Sequence, residues 1–105
     1  MRVYLIPIGL FIASVAHADG PISKFDPEVP GIDLVTQKPI FEIERCLIDL
    51  PGLPAPQVYR QPDKPDQVTL LYLVANKTAG RIDLLRTASG TQIKGWRMGR
   101  ASRCI

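Results

Sequence analysis

The sequence predicts a small α+β domain in which one helix packs on an antiparallel meander of three to four strands. An apolar stripe with helical spacing over residues 39–50 ends at a Pro-Gly pair, and strand-like segments separated by turn residues follow over 57–98. A single cysteine pair, Cys46 and Cys104, would tie the helix to the end of the chain. The alternative fold is a small all-β sheet or barrel with residues 40–48 as its first strand.

The first 18 residues have the pattern of a cleaved secretory signal peptide. Arg2 gives a short positive region, the stretch from Val3 to Val15 is largely apolar, and Ala16-His17-Ala18 is a small-x-small cleavage site. About 13 apolar residues would span only ~20 Å as a helix, whereas the hydrocarbon core of a bilayer is ~30 Å thick. We therefore expect export to the periplasm or the exterior, with no stable membrane span after cleavage.

Residues 19–39 are predicted to form an extended, largely unpaired leader that lies across the domain or tethers it. Proline removes a backbone donor and biases the preceding residue away from helix. The segment contains Pro21, Pro27, Pro30 and Pro39. The remaining residues, 40–105, would then form a single small domain closed by one disulfide.

The helix prediction depends on one stripe of apolar residues. With Pro39 in the first turn, the stripe has i, i+3, i+7 and i+10 spacing and consists of Ile40, Ile43, Leu47 and Leu50. As a strand, the same segment mixes apolar and charged residues on its two faces. Its length and the Pro51-Gly52 stop favour the helix.

Four later segments have strand patterns. They are a short edge strand at 57–61, a central strand at 67–75, and strands at 81–87 and 91–98. Ile82, Leu84 and Ile93 are expected to point inward. The connections are a hairpin-like turn at 76–80 and a turn at Ala88-Ser89-Gly90.

Cys46 and Cys104 are predicted to form a structural disulfide, because an even cysteine pair in a small exported domain is typical of a bridge. The alternatives are weak. Two thiols without histidine make a poor zinc site, and the chain has no Cys-x-x-Cys redox motif. We expect no metal and no cofactor.

Enzyme function is not expected. The only histidine, His17, leaves with the signal peptide, which excludes Ser-His and Cys-His arrangements in the mature chain. The carboxylate pairs Glu42/Glu44 and Asp63/Asp66 show no pattern of burial that would raise a pKa for acid–base work.

Charge divides the mature chain into two halves. Residues 19–50 contain seven acidic and three basic residues, a net of −4, whereas residues 51–105 contain nine basic and three acidic residues, a net of +6. Such asymmetry indicates either an anionic partner or two halves that fold against one another and cancel.

A binding patch is predicted from aromatic and basic residues in the second half. Its members are Trp96, Arg97, Arg100, Arg103, Tyr59 and Arg60. Nucleic acid is not expected as the partner, because single-strand binding needs several exposed rings and the final segment has only one. Tryptophan with arginine is typical of protein interfaces.

A short stretch resembles the small periplasmic inhibitors of C-type lysozyme, which combine a signal peptide, a disulfide and a Ser-Gly loop ahead of a tryptophan-containing strand. Here Ala88-Ser89-Gly90 precedes Trp96, a likeness of barely ten residues. Thr91-Gln92 stands where that family has an aromatic residue. The resemblance implies inhibition of a hydrolase such as lysozyme.

We therefore expect one of two functions, of which the first is preferred. The first is an exported, non-catalytic small domain that binds a protein or a cell-envelope component; an acidic partner is one option, since the second half is basic. The alternative is the secreted or periplasmic hydrolase inhibitor that the resemblance implies.

Overall fold

A computed structural model of the chain describes residues 20–105. It contains a short 3₁₀ helix, five strands, one α-helix and a C-terminal 3₁₀ helix. In chain order these are 3₁₀ Ser23–Phe25, β1 Ile32–Thr36, α1 Ile40–Ile48, β2 Gln57–Tyr59, β3 Gln67–Val74, β4 Lys77–Thr87, β5 Gly90–Trp96 and 3₁₀ Gly99–Cys104. The predicted signal peptide, residues 1–18, lies outside the described residues.

One helix packs on a five-stranded antiparallel sheet with the order β1-β5-β4-β3-β2, which confirms the predicted α+β class. The sheet has one or two strands more than predicted. Within residues 20–105, no helix has the length and apolar character needed to cross a membrane.

The helix α1 lies where the apolar stripe predicted it. Ile43 and Leu47 are 1% exposed, Ile40 is 6% exposed, and Leu50 is buried just beyond the last turn. Pro39 occupies the N-cap position with an extended backbone, and its carbonyl accepts the first hydrogen bonds of the helix. The stripe therefore fixes which side of the helix faces the sheet.

The additional strand, β1, comes from the segment predicted to be a largely unpaired leader. Its five residues pair with β5, with Leu34 opposite Ile93. The stretch lies between Pro30 and Pro39 and itself contains no proline, so its backbone donors remain free for a sheet. Part of the leader is thus built into the sheet.

The β3–β4 hairpin is tighter than the predicted connection at 76–80. Only Ala75 and Asn76 form the turn, and both have positive φ, 53° and 64°. Two residues with positive φ form the loop that matches the twist of paired strands. Lys77–Gly80 consequently belong to β4.

The main core lies between α1 and the sheet. Its strand residues alternate along β3, β4 and β5, and they include the three residues predicted to point inward; they are Val68, Leu70, Tyr72, Ile82, Leu84 and Ile93.

The opposite face of the sheet is covered at one end by residues 20–28, which we call the N-terminal strap. Phe25 of the strap is fully buried. Lys24 Nζ donates a hydrogen bond to the carbonyl of Thr78 at 3.0 Å, and Trp96 Nε1 donates one to the carbonyl of Glu28 at 2.9 Å. The strap therefore closes a second, smaller buried layer.

Tyr72 makes folding sensitive to alkaline pH. It is fully buried, its hydroxyl donates to the carbonyl of Leu47 at 2.6 Å, and burial raises its pKa from 10.0 to about 12. The unfolded chain therefore loses the phenolic proton before the folded chain does. This contribution to stability is complete below pH 10 and is lost as the pH rises towards 12.

We expect the free energy of unfolding to fall by about 2 kcal/mol through this alkaline range. Tyr72→Phe should cost about 1 kcal/mol at neutral pH, because the Leu47 carbonyl loses its partner, and should flatten the alkaline loss. Urea denaturation below pH 10 and at about pH 11 measures both effects. Tyr59→Phe, at an exposed tyrosine, is the control. An alkaline loss that is equal in both variants would contradict the assignment.

Candidate functional site

The predicted disulfide is present and ties α1 to the C-terminal 3₁₀ helix. Cys46 and Cys104 are bonded, with their Cα atoms 5.7 Å apart and a sequence separation of 58. Cys104 is 2% exposed and belongs to the main core. The chain is thus a small disulfide-closed domain, and this is compatible with an oxidising, exported location.

Trp96 lies in the second buried layer, so its ring is not available as part of an exposed patch. It is 6% exposed and held between the strap and the guanidinium of Arg81, which lies 4.7 Å from the ring centroid. Its Nε1 is bonded to the strap, as described above. Its indole therefore fastens the strap to the sheet.

Arg81 is the centre of this layer, and the sequence did not single it out. Its side chain is only 10% exposed and donates to both carboxylate oxygens of Asp83, to Asp26 at 2.7 Å and to the carbonyl of Ile22 at 2.7 Å. The hydrogen bonds with Asp83 raise its pKa further above its ordinary value. Four of its five N–H groups are thus bonded within the domain, so Arg81 stabilises the fold and offers little to a partner.

Arg97 and Arg100 meet at a small cleft that we call the arginine notch. Its volume is about 120 Å³, and its lining consists of Leu53, Tyr72, Ala79, Arg97, Met98, Gly99 and Arg100. Arg97 has a left-handed backbone, φ 58°, directly after β5, where the chain turns into the C-terminal 3₁₀ helix. This turn brings residues 97 and 100 together at the same cleft.

The two arginines of the notch keep donors free for a partner. Arg100 donates from Nη1 to the carbonyl of Gly52 at 3.2 Å, which uses one of its five N–H groups. Arg97 is bonded to Glu28 at 3.1 Å, but their side chains are 62% and 39% exposed. A surface pair of this kind is weak, so Arg97 can exchange Glu28 for another carboxylate at little cost.

The other predicted patch members lie elsewhere. Arg103 is exposed on the C-terminal 3₁₀ helix but does not line the notch. Tyr59 and Arg60 lie at the β2 edge, and two strands, β3 and β4, separate β2 from β5. The structure thus divides the patch: it brings Arg97 and Arg100 together and places Tyr59 and Arg60 apart from them.

Tyr59 and Arg60 line a larger cavity of about 360 Å³, together with Lys64 and Arg81. The cations of this cavity are mostly paired already. Arg60 contacts Glu44 at 2.5 Å, and this hydrogen bond raises the pKa of Arg60. With Arg81 held as described above, the cavity has little free positive charge.

The acidic and basic halves of the chain fold against each other. Of the ion pairs within residues 20–105, three join an acid from the first half to an arginine from the second: Glu44–Arg60, Asp26–Arg81 and Glu28–Arg97. Lys94 also lies between Asp33 and Asp83 in the strand register. Much of the charge asymmetry is therefore internal, and the notch keeps a local excess of positive charge.

The loop Ala88-Ser89-Gly90, on which the inhibitor resemblance depends, is a tight turn between β4 and β5. Ala88 and Ser89 are exposed, but Thr91 is fully buried and donates from Oγ1 to the carbonyl of Lys38 at 2.9 Å. Only two small side chains thus project from this turn.

Sequence reasoning missed the apolar part of the notch, whose residues come from three separate segments. Leu53 follows α1, Tyr72 is in β3, and Met98 follows β5. No local pattern links them. Among residues 20–105, no group of three or more histidine, cysteine or carboxylate side chains is placed to hold a metal ion.

Comparisons of the chain with protein-family models, with curated proteins and with solved structures give no match.

Proposed function

We propose that the protein is an exported, non-catalytic domain that binds an acidic protein segment through the arginine notch. The observation that carries the proposal is the pairing of an apolar cleft with two exposed arginines whose donors are not used up by the fold. The absence of histidine from the mature sequence supports a binding function over acid–base catalysis.

The size of the notch indicates what it accepts. Its volume of about 120 Å³ is well below the ~300–1,000 Å³ of small-molecule sites but suits one apolar side chain. Of the apolar lining residues, Leu53 and Ala79 are accessible to a partner, whereas Tyr72 and Met98 are buried. The arginines beside them favour flanking carboxylates. An acidic segment with one aliphatic or aromatic side chain meets both requirements.

The partner's charge should show in the salt dependence of binding. We expect capture of the partner from an envelope extract, with residues 19–105 as bait, to weaken as salt increases. Arg97→Gln combined with Arg100→Gln should reduce capture about tenfold or more and flatten this dependence, because two charge-assisted contacts are lost.

A matched control separates a local effect from a change in net charge. Arg45→Gln combined with Lys64→Gln removes the same charge from two exposed positions outside the notch. This control should capture the partner as the wild type does. Equal losses in the two double variants would reject the notch as the binding site, and capture of an anionic polymer in place of a protein would reject the proposed partner class.

A further inference from the structure

The two edges of the sheet differ in how they are protected. At one edge, β2 has only three residues and is bounded by Pro56 and Pro62, which cannot donate to a further strand. At the other edge, β1 has five residues and contains no proline, lysine or arginine. Short length, proline and charged side chains are the usual devices that keep an edge strand from pairing, and within β1 only Asp33 is one of them.

The edge at β1 is also apolar and accessible. Within residues 20–105, β1 pairs with β5 on one side only. Its middle residues are exposed, with Leu34 at 39% and Val35 at 59%, and Val29, just before the strand, is 90% exposed. Alternate residues of such a strand direct backbone N–H and C=O groups away from β5, where another strand can pair with them.

We infer that two copies of the chain associate by antiparallel pairing of their β1 strands about a two-fold axis at Leu34. In this register Leu34 faces its own copy, Ile32 faces Thr36, and Asp33 faces Val35. No like charges stand directly opposite each other, and the two Leu34 side chains form an apolar pair at the axis. The same patch serves both copies, as a two-fold interface requires, and the product is a continuous ten-stranded sheet.

The association should be reversible. One five-residue strand pair buries less area than the ~1,200–2,000 Å² of a standard stable interface. Sedimentation equilibrium of residues 19–105 should therefore show the dimer mass at the highest soluble concentration and a shift towards the monomer on dilution. Monomer at every concentration would overturn the inference. This association does not involve the arginine notch. A negative result here would therefore leave the proposed function unaffected, and failure of the proposed function would leave this inference unaffected.

Substitution at the two-fold axis tests the register. Leu34→Lys places two like charges opposite each other and should weaken the dimer roughly tenfold or more. Leu85→Lys is the matched control, because Leu85 in β4 is also 39% exposed but lies away from the edge; it should dimerise as the wild type does. A dimer that Leu34→Lys leaves unchanged would overturn the pairing.

A charge-swap pair sharpens this test. Leu34→Glu alone should also be largely monomeric, whereas an equimolar mixture of Leu34→Lys and Leu34→Glu should recover a mixed dimer through opposite charges at the axis. Misfolding of either variant could not produce this recovery of the dimer. Circular dichroism of each variant alone checks that it is folded. A mixture that remains monomeric while each variant is folded would contradict the proposed register.

Discussion

Opening the Cys46–Cys104 bridge should lower the free energy of unfolding by about 4 kcal/mol. The bond joins residues 58 apart, and loop-closure entropy in the unfolded chain gives an effect of this size. Small domains are typically stable by only ~5–15 kcal/mol. The loss would therefore leave a marginal fold, in which α1 and the C-terminal 3₁₀ helix lose their common anchor.

Urea denaturation of residues 19–105, with and without reductant, measures this effect on an unchanged sequence. The m value should rise on reduction, because the open chain exposes more surface when it unfolds. Cys46→Ala combined with Cys104→Ala should reproduce the reduced curve. A loss below about 1 kcal/mol would show that the bridge is incidental to stability.

Arg81→Met should destabilise the fold by about 3 kcal/mol or more. The substitution removes the ion pair of Asp83, whose side chain is only 16% exposed, and leaves it the hydrogen bond from Thr69 Oγ1. Breaking a largely buried ion pair by removing one partner is costly. The strap also loses two contacts, at Asp26 and at the carbonyl of Ile22. We therefore expect the strap to separate from the sheet more readily than in the wild type.

Thermal and urea denaturation measure the loss, and hydrogen exchange of the strap amides measures the local effect. Arg86→Met is the control in the same strand, because the Arg86–Asp66 pair is exposed, at 42% and 61%, and should contribute at most about 1 kcal/mol. Similar losses in the two variants would contradict the role assigned to Arg81.

The helix, the disulfide and most strands could be predicted because local patterns determine them. The stripe through Ile43 and Leu47, together with the length of the segment and the Pro51-Gly52 stop, favours a helix, and an even cysteine pair in a small domain indicates a bridge. The inward positions of β4 and β5 follow from alternation, which Ile82 and Ile93 illustrate.

The remaining features depend on contacts between distant residues. The sequence around β1 looks like a proline-rich leader until β5, some 60 residues later, provides a pairing edge. Arg81 occupies a position that alternation assigns to solvent, but the strap covers it and turns it into a buried arginine. Trp96 is buried for the same reason.

In the candidate site, too, the positions of the key residues depend on contacts that the local sequence pattern does not reveal. The even spacing of Lys94, Arg97, Arg100 and Arg103 would form one basic surface only on a helix, and the fold places Lys94 on a strand, between two aspartates. Arg97 and Arg100 meet because the chain turns at the positive φ of Arg97. That turn has no sequence signature, since glycine and asparagine are the usual residues there.

The most direct test of the arginine notch as the binding site is an amide chemical-shift titration of residues 19–105 with a short glutamate-rich peptide that contains one leucine. The same peptide with alanine in place of leucine is the control. The proposal predicts shifts concentrated at Leu53, Tyr72, Gly99 and Arg100 that become much weaker with the alanine peptide. Shifts that are centred on Arg60 and Lys64, or that are equal for both peptides, would contradict it.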